Sequence, residues 1–149
     1  MAIIDSSVII HLARIGRLEL LKLFFGKIII TQEVYGELLQ GTEGLAKIQE
    51  ALSTWIAIQE VKDKEKVKGI ETLEQIGHAD ASLIVLAEAE NDTLISNDAS
   101  LIRAARTRNV ACWWLTTFLL HCAAKKLVSR KEAKTILFLL IGSERNDNK

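Results

Sequence analysis

Four acidic residues of this chain lie at points where a sheet would gather them. Asp5 ends the apolar run Ala2–Ile4, and Asp98 lies two residues past the strand-like segment Thr93–Ser96. Glu37 falls on the helix that follows the β-branched run 27–30, and Asp80 lies in the first turn of a helix opening at Gly77. In an open parallel sheet, ligands bind beyond the carboxyl ends of the strands, so all four carboxylates converge on one edge. Like charges in one pocket either take up protons or are balanced by a cation. The cation suited to carboxylate and water oxygens is a hard divalent ion, Mg²⁺ or Mn²⁺. Such an ion acidifies a coordinated water and steadies a leaving oxygen, which is the chemistry of in-line phosphodiester hydrolysis. That chemistry requires no His or Cys nucleophile.

Each acid also has an ordinary role to weigh. Asp5 and Asp98 can cap the helices that follow them, and Asp80 can simply favour the helix dipole from the first turn. Glu37 competes with Glu33, one turn earlier on the same face. Val34, Leu38 and Leu39 around Glu37 predict that it is the inward one. His11 and His121 lie in apolar helical stretches and read as satisfied core or interface groups, whereas His78 adjoins Asp80 and can reach a phosphate. Trp113 and Trp114 are neighbours on a strand and point to opposite faces, so at most one can stack on a base; core packing is the default for both.

The elements that position these groups follow from periodicity. A first strand ends at Asp5, and a serine-capped helix carrying Val8, Ile9, Leu12 and Ile15 closes at Gly16. A short helix over 18–25 leads to the strand 27–30, and Thr31 caps a helix stopped at Gly41. Leu45, Ile48 and Leu52 mark a further helix, 55–61 a strand, and the charged stretch 62–68 leads to Leu73 and Ile76. From Gly77, the small-residue stripe Ala79, Leu83, Leu86 and Ala87 predicts a tightly packed helix ending near Asn91. Thr93–Ser96 is a strand, Asn97 a cap, 99–108 a helix, 110–115 a last strand, and 116–126 and 129–141 are helices. Strands alternating with helices of crossover length predict an α/β fold, its sheet mainly parallel and covered on both faces.

The chain has 149 residues, 49% of them hydrophobic, which suits one domain over 1–142 with a polar, fraying tail over 143–149. There is no proline, so helices must stop at Gly and Asn. Cys112 and Cys122 have neither zinc-site spacing nor a disulfide framework, which points to a reducing, cytoplasmic compartment. The N-terminus lacks the basic region of a signal peptide. The longest uncharged stretch, 109–124, falls short of the roughly 20 apolar residues of a membrane span. The net charge of zero hides a polarity: residues 1–98 hold 9 basic and 16 acidic side chains, net −7, and residues 99–149 hold 10 and 3, net +7. Arg103 and Arg106 share one helix face, as do Arg130 and Lys134; they read either as solvated surface or as a phosphate track for RNA. The C-terminal bases can alternatively face an acidic partner peptide.

Asp5-Ser6-Ser7, the run Ile28 to Ile30 followed by Thr31-Gln32-Glu33-Val34-Tyr35-Gly36-Glu37-Leu38, His78-Ala79-Asp80-Ala81 and Ile95-Ser96-Asn97-Asp98 together resemble the PIN domain. That family comprises metal-dependent ribonucleases and includes VapC-type toxins of toxin–antitoxin pairs. The resemblance runs from Ala2 to about Ile141. It implies a three-layer α/β/α fold, an acidic Mg²⁺ or Mn²⁺ site of Asp5, Glu37, Asp80 and Asp98, and supporting hydroxyls from Ser6 and Ser96. It further implies RNA as substrate, a homodimer and an antitoxin partner. The apolar stretches 8–15 and 136–141 are consistent with a dimer. Thr31 and Ser100 depart from the family pattern, standing where proline and a further acid are common; the second departure implies weaker hold on a second metal. The competing reading is a non-catalytic PIN-like module that binds RNA or protein. A phosphorylated receiver-type switch needs an acidic pair near the first strand and a lysine on the last, and the chain has neither.

Overall fold

Ala2, Ile3, Ile4, Ile28, Ile29 and Ile30 are all buried, so neither strand they form alternates. Burial on both faces is what a parallel sheet between helical layers requires. The computed structural model describes residues 1–42 and 44–147, with side chains described as far as residue 141. Its strands are β1 (Ala2–Ile4), β2 (Ile28–Thr31), β3 (Ile56–Gln59), β4 (Thr93–Ser96) and β5 (Cys112–Trp114). They form one sheet in the order β3-β2-β1-β4-β5, with every pairing parallel. The helices are α1 (Ser6–Arg14), α2 (Glu19–Phe25), α3 (Gln32–Gln40), α4 (Leu45–Leu52), α5 (Lys64–Glu74), α6 (His78–Glu90), α7 (Ala99–Thr107), α8 (Leu115–Ala124) and α9 (Arg130–Asp147).

From β1 the chain steps outward through β2 to β3, and from β4 it steps the other way to β5. Right-handed crossovers therefore place α1 to α4 on one face and α5 to α7 on the other. The contacts agree: α6 packs on β1, β2 and β4 with α5 and α7 beside it, while α1 and α8 pack on β4 from the opposite side. The strand order reverses between β1 and β4, which opens a crevice at their carboxyl ends, the usual ligand position in such sheets. Asp5 and Asp98 follow those two strands.

Helix starts show which polar side chains are spent on structure. Thr31 Oγ1 accepts from the Val34 N–H at 3.1 Å, capping α3 as predicted. We expect Thr31→Val, nearly isosteric at a fully buried position, to cost about 1 kcal/mol through loss of this cap, read as a lower urea midpoint. No serine caps α1: Asp5 occupies the N-cap position and Ser6 is the first helical residue, its hydroxyl used elsewhere. Asp98, not Asn97, caps α7. Helix α9 continues to Asp147, through Gly142 and the polar stretch predicted to fray; the rest of that tail, Asn148 and Lys149, lies outside the described residues. Leu39, among the apolar positions of α3, and Leu73, near the end of α5, are both exposed. Among the described residues no helix is long and apolar enough to cross a membrane.

Candidate acidic active site

Asp5 has left β1 but its backbone has not left the sheet, since its N–H still donates to the Ile95 carbonyl at 3.0 Å. Its side chain therefore lies beside that of Ser96, the last residue of β4. Ser96 Oγ donates to Asp5 Oδ2 at 2.8 Å, and Ser7 Oγ donates to the same oxygen at 3.1 Å. Ser96 Oγ in turn accepts from the Asp98 N–H at 3.0 Å, so one buried hydroxyl orients the carboxylate after β1 and the loop after β4. Asp98 Oδ1 accepts from the N–H groups of Ser100 and Leu101 at 2.9 and 3.3 Å, which makes it a cap as well as a member of the cluster. On α1, Ser6 Oγ donates to Glu37 Oε2 at 2.8 Å and ties α3 to the same edge. Asp80 enters from the first turn of α6.

The charges in this cup act on one another. Burial pushes the Asp5 carboxyl above its ordinary pKa; the Ser96 and Ser7 hydroxyls and the Ser6 backbone pull it down, and the Glu37 charge pushes it up again. Asp80 is pushed up to about 7, first by burial and then by the charges of Asp5, Asp98 and Glu37. A carboxyl half protonated near neutrality is the outcome expected for like charges in one pocket without a cation. Ser96 and Ser7 thus bond Asp5, Ser6 bonds Glu37, and Asp80 lies within electrostatic reach of Asp5, Asp98 and Glu37. Glu37, expected to be the inward glutamate of α3, is exposed, and Glu33 is the half-buried one.

Other predicted groups have different surroundings. His78 lies between two glutamates, Nε2 at 3.4 Å from Glu33 Oε1 and Nδ1 at 3.5 Å from Glu71 Oε2. Glu33 is thus occupied by His78, although its Oε2 is buried without a hydrogen-bond partner among the described residues. His11, expected to be satisfied, has a buried Nδ1 without a partner among those residues. Arg103 and Arg106 are exposed on α7, and Arg106 Nη2 donates to the Cys112 carbonyl at 3.2 Å, which fastens α7 to β5. Ser7 is the site residue that sequence reasoning missed. The signal was available, because a hydroxyl two residues after an aspartate is placed for a local side-chain bond.

The donor set is all carboxylate and hydroxyl oxygen with surplus negative charge, which fits a hard divalent cation. Among the described residues, no three His, Cys, Asp or Glu groups are drawn together closely enough to form a metal-holding set. Coulomb forces reach farther than ligand bonds, so Asp80 responds to three carboxylates that form an open cup rather than a closed cage.

A family model described as a PIN domain matches residues 1–145. The chain belongs to the PIN-domain family. Its PIN fold is similar to a crystal structure from Pyrobaculum aerophilum, with a TM-score of 0.63 and 19% identity, covering 83% of this chain and 89% of that one. A PilT N-terminus domain protein from Sulfolobus solfataricus gives a TM-score of 0.61 at 18% identity, over 80% and 91% of the two chains. VapBC2 from Rickettsia felis, solved bound to a DNA fragment from its promoter, gives 0.59 at 21% identity, over 76% and 97%. No curated protein matches this PIN domain significantly in sequence.

Proposed function

We propose that this PIN domain is a Mg²⁺- or Mn²⁺-dependent endoribonuclease that hydrolyses RNA phosphodiesters, and that it acts as the toxin of a toxin–antitoxin pair. The observation that carries the reading is Asp80, pushed up to about 7 first by burial and then by the charges of Asp5, Asp98 and Glu37 around it. Asp5, Glu37, Asp80 and Asp98 would hold the ion, which when bound supplies an activated water and charge neutralisation at the scissile phosphate. Ser96 and Ser7 orient Asp5, Ser6 orients Glu37, and the α7 amides orient Asp98. Arg103 and Arg106 offer cations to the RNA backbone on the helix that begins at the cup.

The test is cleavage of RNA by the purified chain with Mn²⁺ and its loss on chelation. A Ser96→Ala variant is expected to lower metal affinity or activity about 10–100-fold, because it frees Asp5 from its orienting bond. Arg103→Ala should weaken binding of all single-stranded sequences alike and reduce the slope of log affinity against log salt by about 0.7; a salt slope unchanged from the parent assigns Arg103 to solvated surface.

The partner proposals rest on the outer helices. Val8, Ile9 and Leu12 of α1 are buried within the chain, so the apolar surplus there serves the core. Leu120 on α8 and Phe138, Leu139 and Ile141 on α9 are exposed, and a homodimer or an antitoxin peptide would cover them. VapBC2 from Rickettsia felis and a toxin–antitoxin complex from Klebsiella pneumoniae, both similar in fold, support the toxin assignment. The open spacing of the acids favours one second reading, a PIN-like module that binds RNA or protein without cutting. Stabilisation by Mn²⁺ without any RNA cleavage would select it.

A further inference from the structure

We propose that Trp114 is a stacking platform for an unpaired RNA base beside the acidic cup, with Arg103 next to it for the adjoining phosphate; this rests on the ribonuclease reading. The strand register carries the inference. Ser96 pairs with Trp114 across β4 and β5, and Ser96 Oγ bonds Asp5 at the end of β1. Asp5, Ser96 and Trp114 therefore form one row on one face of the sheet, with neighbouring strands about 4.8 Å apart. That face carries α6 and α7, and so also Asp80 and Asp98.

The two adjacent tryptophans divide the work between faces. Trp113 is used in packing: its ring stacks on His121 at 4.2 Å and meets Phe24 edge-on at 6.0 Å. Trp114 points the other way; it is packed partly against the core, and among the described residues its indole makes no contact with another aromatic ring and no side-chain hydrogen bond. It ends β5, an edge strand paired on one side by β4, so the row of site residues opens to solvent past its indole.

Helix α7 packs against β5 and is tied to it where Arg106 meets the Cys112 carbonyl. Moving from Arg106 to Arg103 climbs about 4.5 Å toward the start of α7. Moving from Cys112 to Trp114 climbs about 6.6 Å along β5. Both steps lead toward the edge that holds the acids, so Arg103 and Trp114 both lie nearer that edge than the Arg106–Cys112 tie. An aromatic face beside a cation suits a nucleotide whose base has been splayed from its neighbours, which a single strand permits and a paired helix does not.

The experiment uses the full chain carrying Asp5→Asn, so that RNA is bound without being cut. Fluorescence anisotropy would compare a labelled oligoadenylate with an abasic ribose-phosphate oligomer of the same length, on this chain with and without Trp114→Leu or Trp114→Phe. Trp114→Leu is expected to weaken oligoadenylate binding about 10–100-fold and to leave abasic binding unchanged. Trp114→Phe should keep most of the affinity, which separates loss of a ring from loss of fold. Equal weakening of both oligomers by Trp114→Leu, or no weakening of either, overturns the platform and leaves the ribonuclease reading standing. Failure of the parent chain to bind either oligomer overturns both.

Discussion

Asp5→Asn is expected to lose at least about a hundredfold of Mn²⁺-dependent RNA cleavage while melting at a higher temperature than the parent. The two effects share one cause. Asp5 is buried, and burial is the largest influence raising its pKa, so its charge is held against the preference of its surroundings. An amide of the same shape removes that cost and can still accept from Ser96. It also removes the negative oxygen that would face the ion, and removing even a group that only orients such a ligand typically costs 10–100-fold. Cleavage rate and melting temperature, measured on the same preparation, check the prediction. Cleavage equal to the parent's would assign the activity to a contaminating nuclease.

Metal affinity should follow the proton on Asp80. Its pKa is pushed up to about 7, mainly by burial and then by three neighbouring carboxylates. In the metal-free chain the folded state holds this proton more tightly than the unfolded state, so stability declines as pH rises from about 4 to about 7 and then levels. Solvent screening of a partly exposed carboxylate limits the loss to about 1 kcal/mol, or about 2–4 °C in Tm. An entering cation must displace the proton, so Mn²⁺ affinity is expected to climb about tenfold per pH unit up to around pH 7 and flatten above it. Asp80→Asn should abolish that slope. Calorimetric titration with Mn²⁺ across this range checks it, and an affinity independent of pH in the parent would contradict the arrangement.

What could be read in advance followed local rules. Apolar runs bounded by Gly, Asn and Thr located β2 and β4 and the cap of α3, and strand ends located Asp5 and Asp98. The rest depended on contacts between distant segments. Asn97 and Asp98 are both good caps, and the Ser96 bond to the Asp98 N–H accompanies the choice of Asp98. Glu37, expected to be the inward glutamate, is exposed while Glu33 is half-buried; Leu39 beside Glu37 is exposed too, and what holds Glu37 at the edge is Ser6, 31 residues earlier. The apolar surplus of α1 suggested a second chain because its partners α3, α4 and β4 come later in the sequence.

The bond from Ser96 to Asp5 joins residues 91 apart. Chains are made from the N-terminus, and β4 can take its place only after β1 has waited through the synthesis of every element between them. A ribosome carrying the chain as far as α6 holds Asp5, Glu37 and Asp80 with no Asp98 and no wall beside Asp5. Such an unfinished chain has no assembled acidic cup, so on the proposed ribonuclease reading a cell making this protein meets its chemistry only after β4 has joined the sheet.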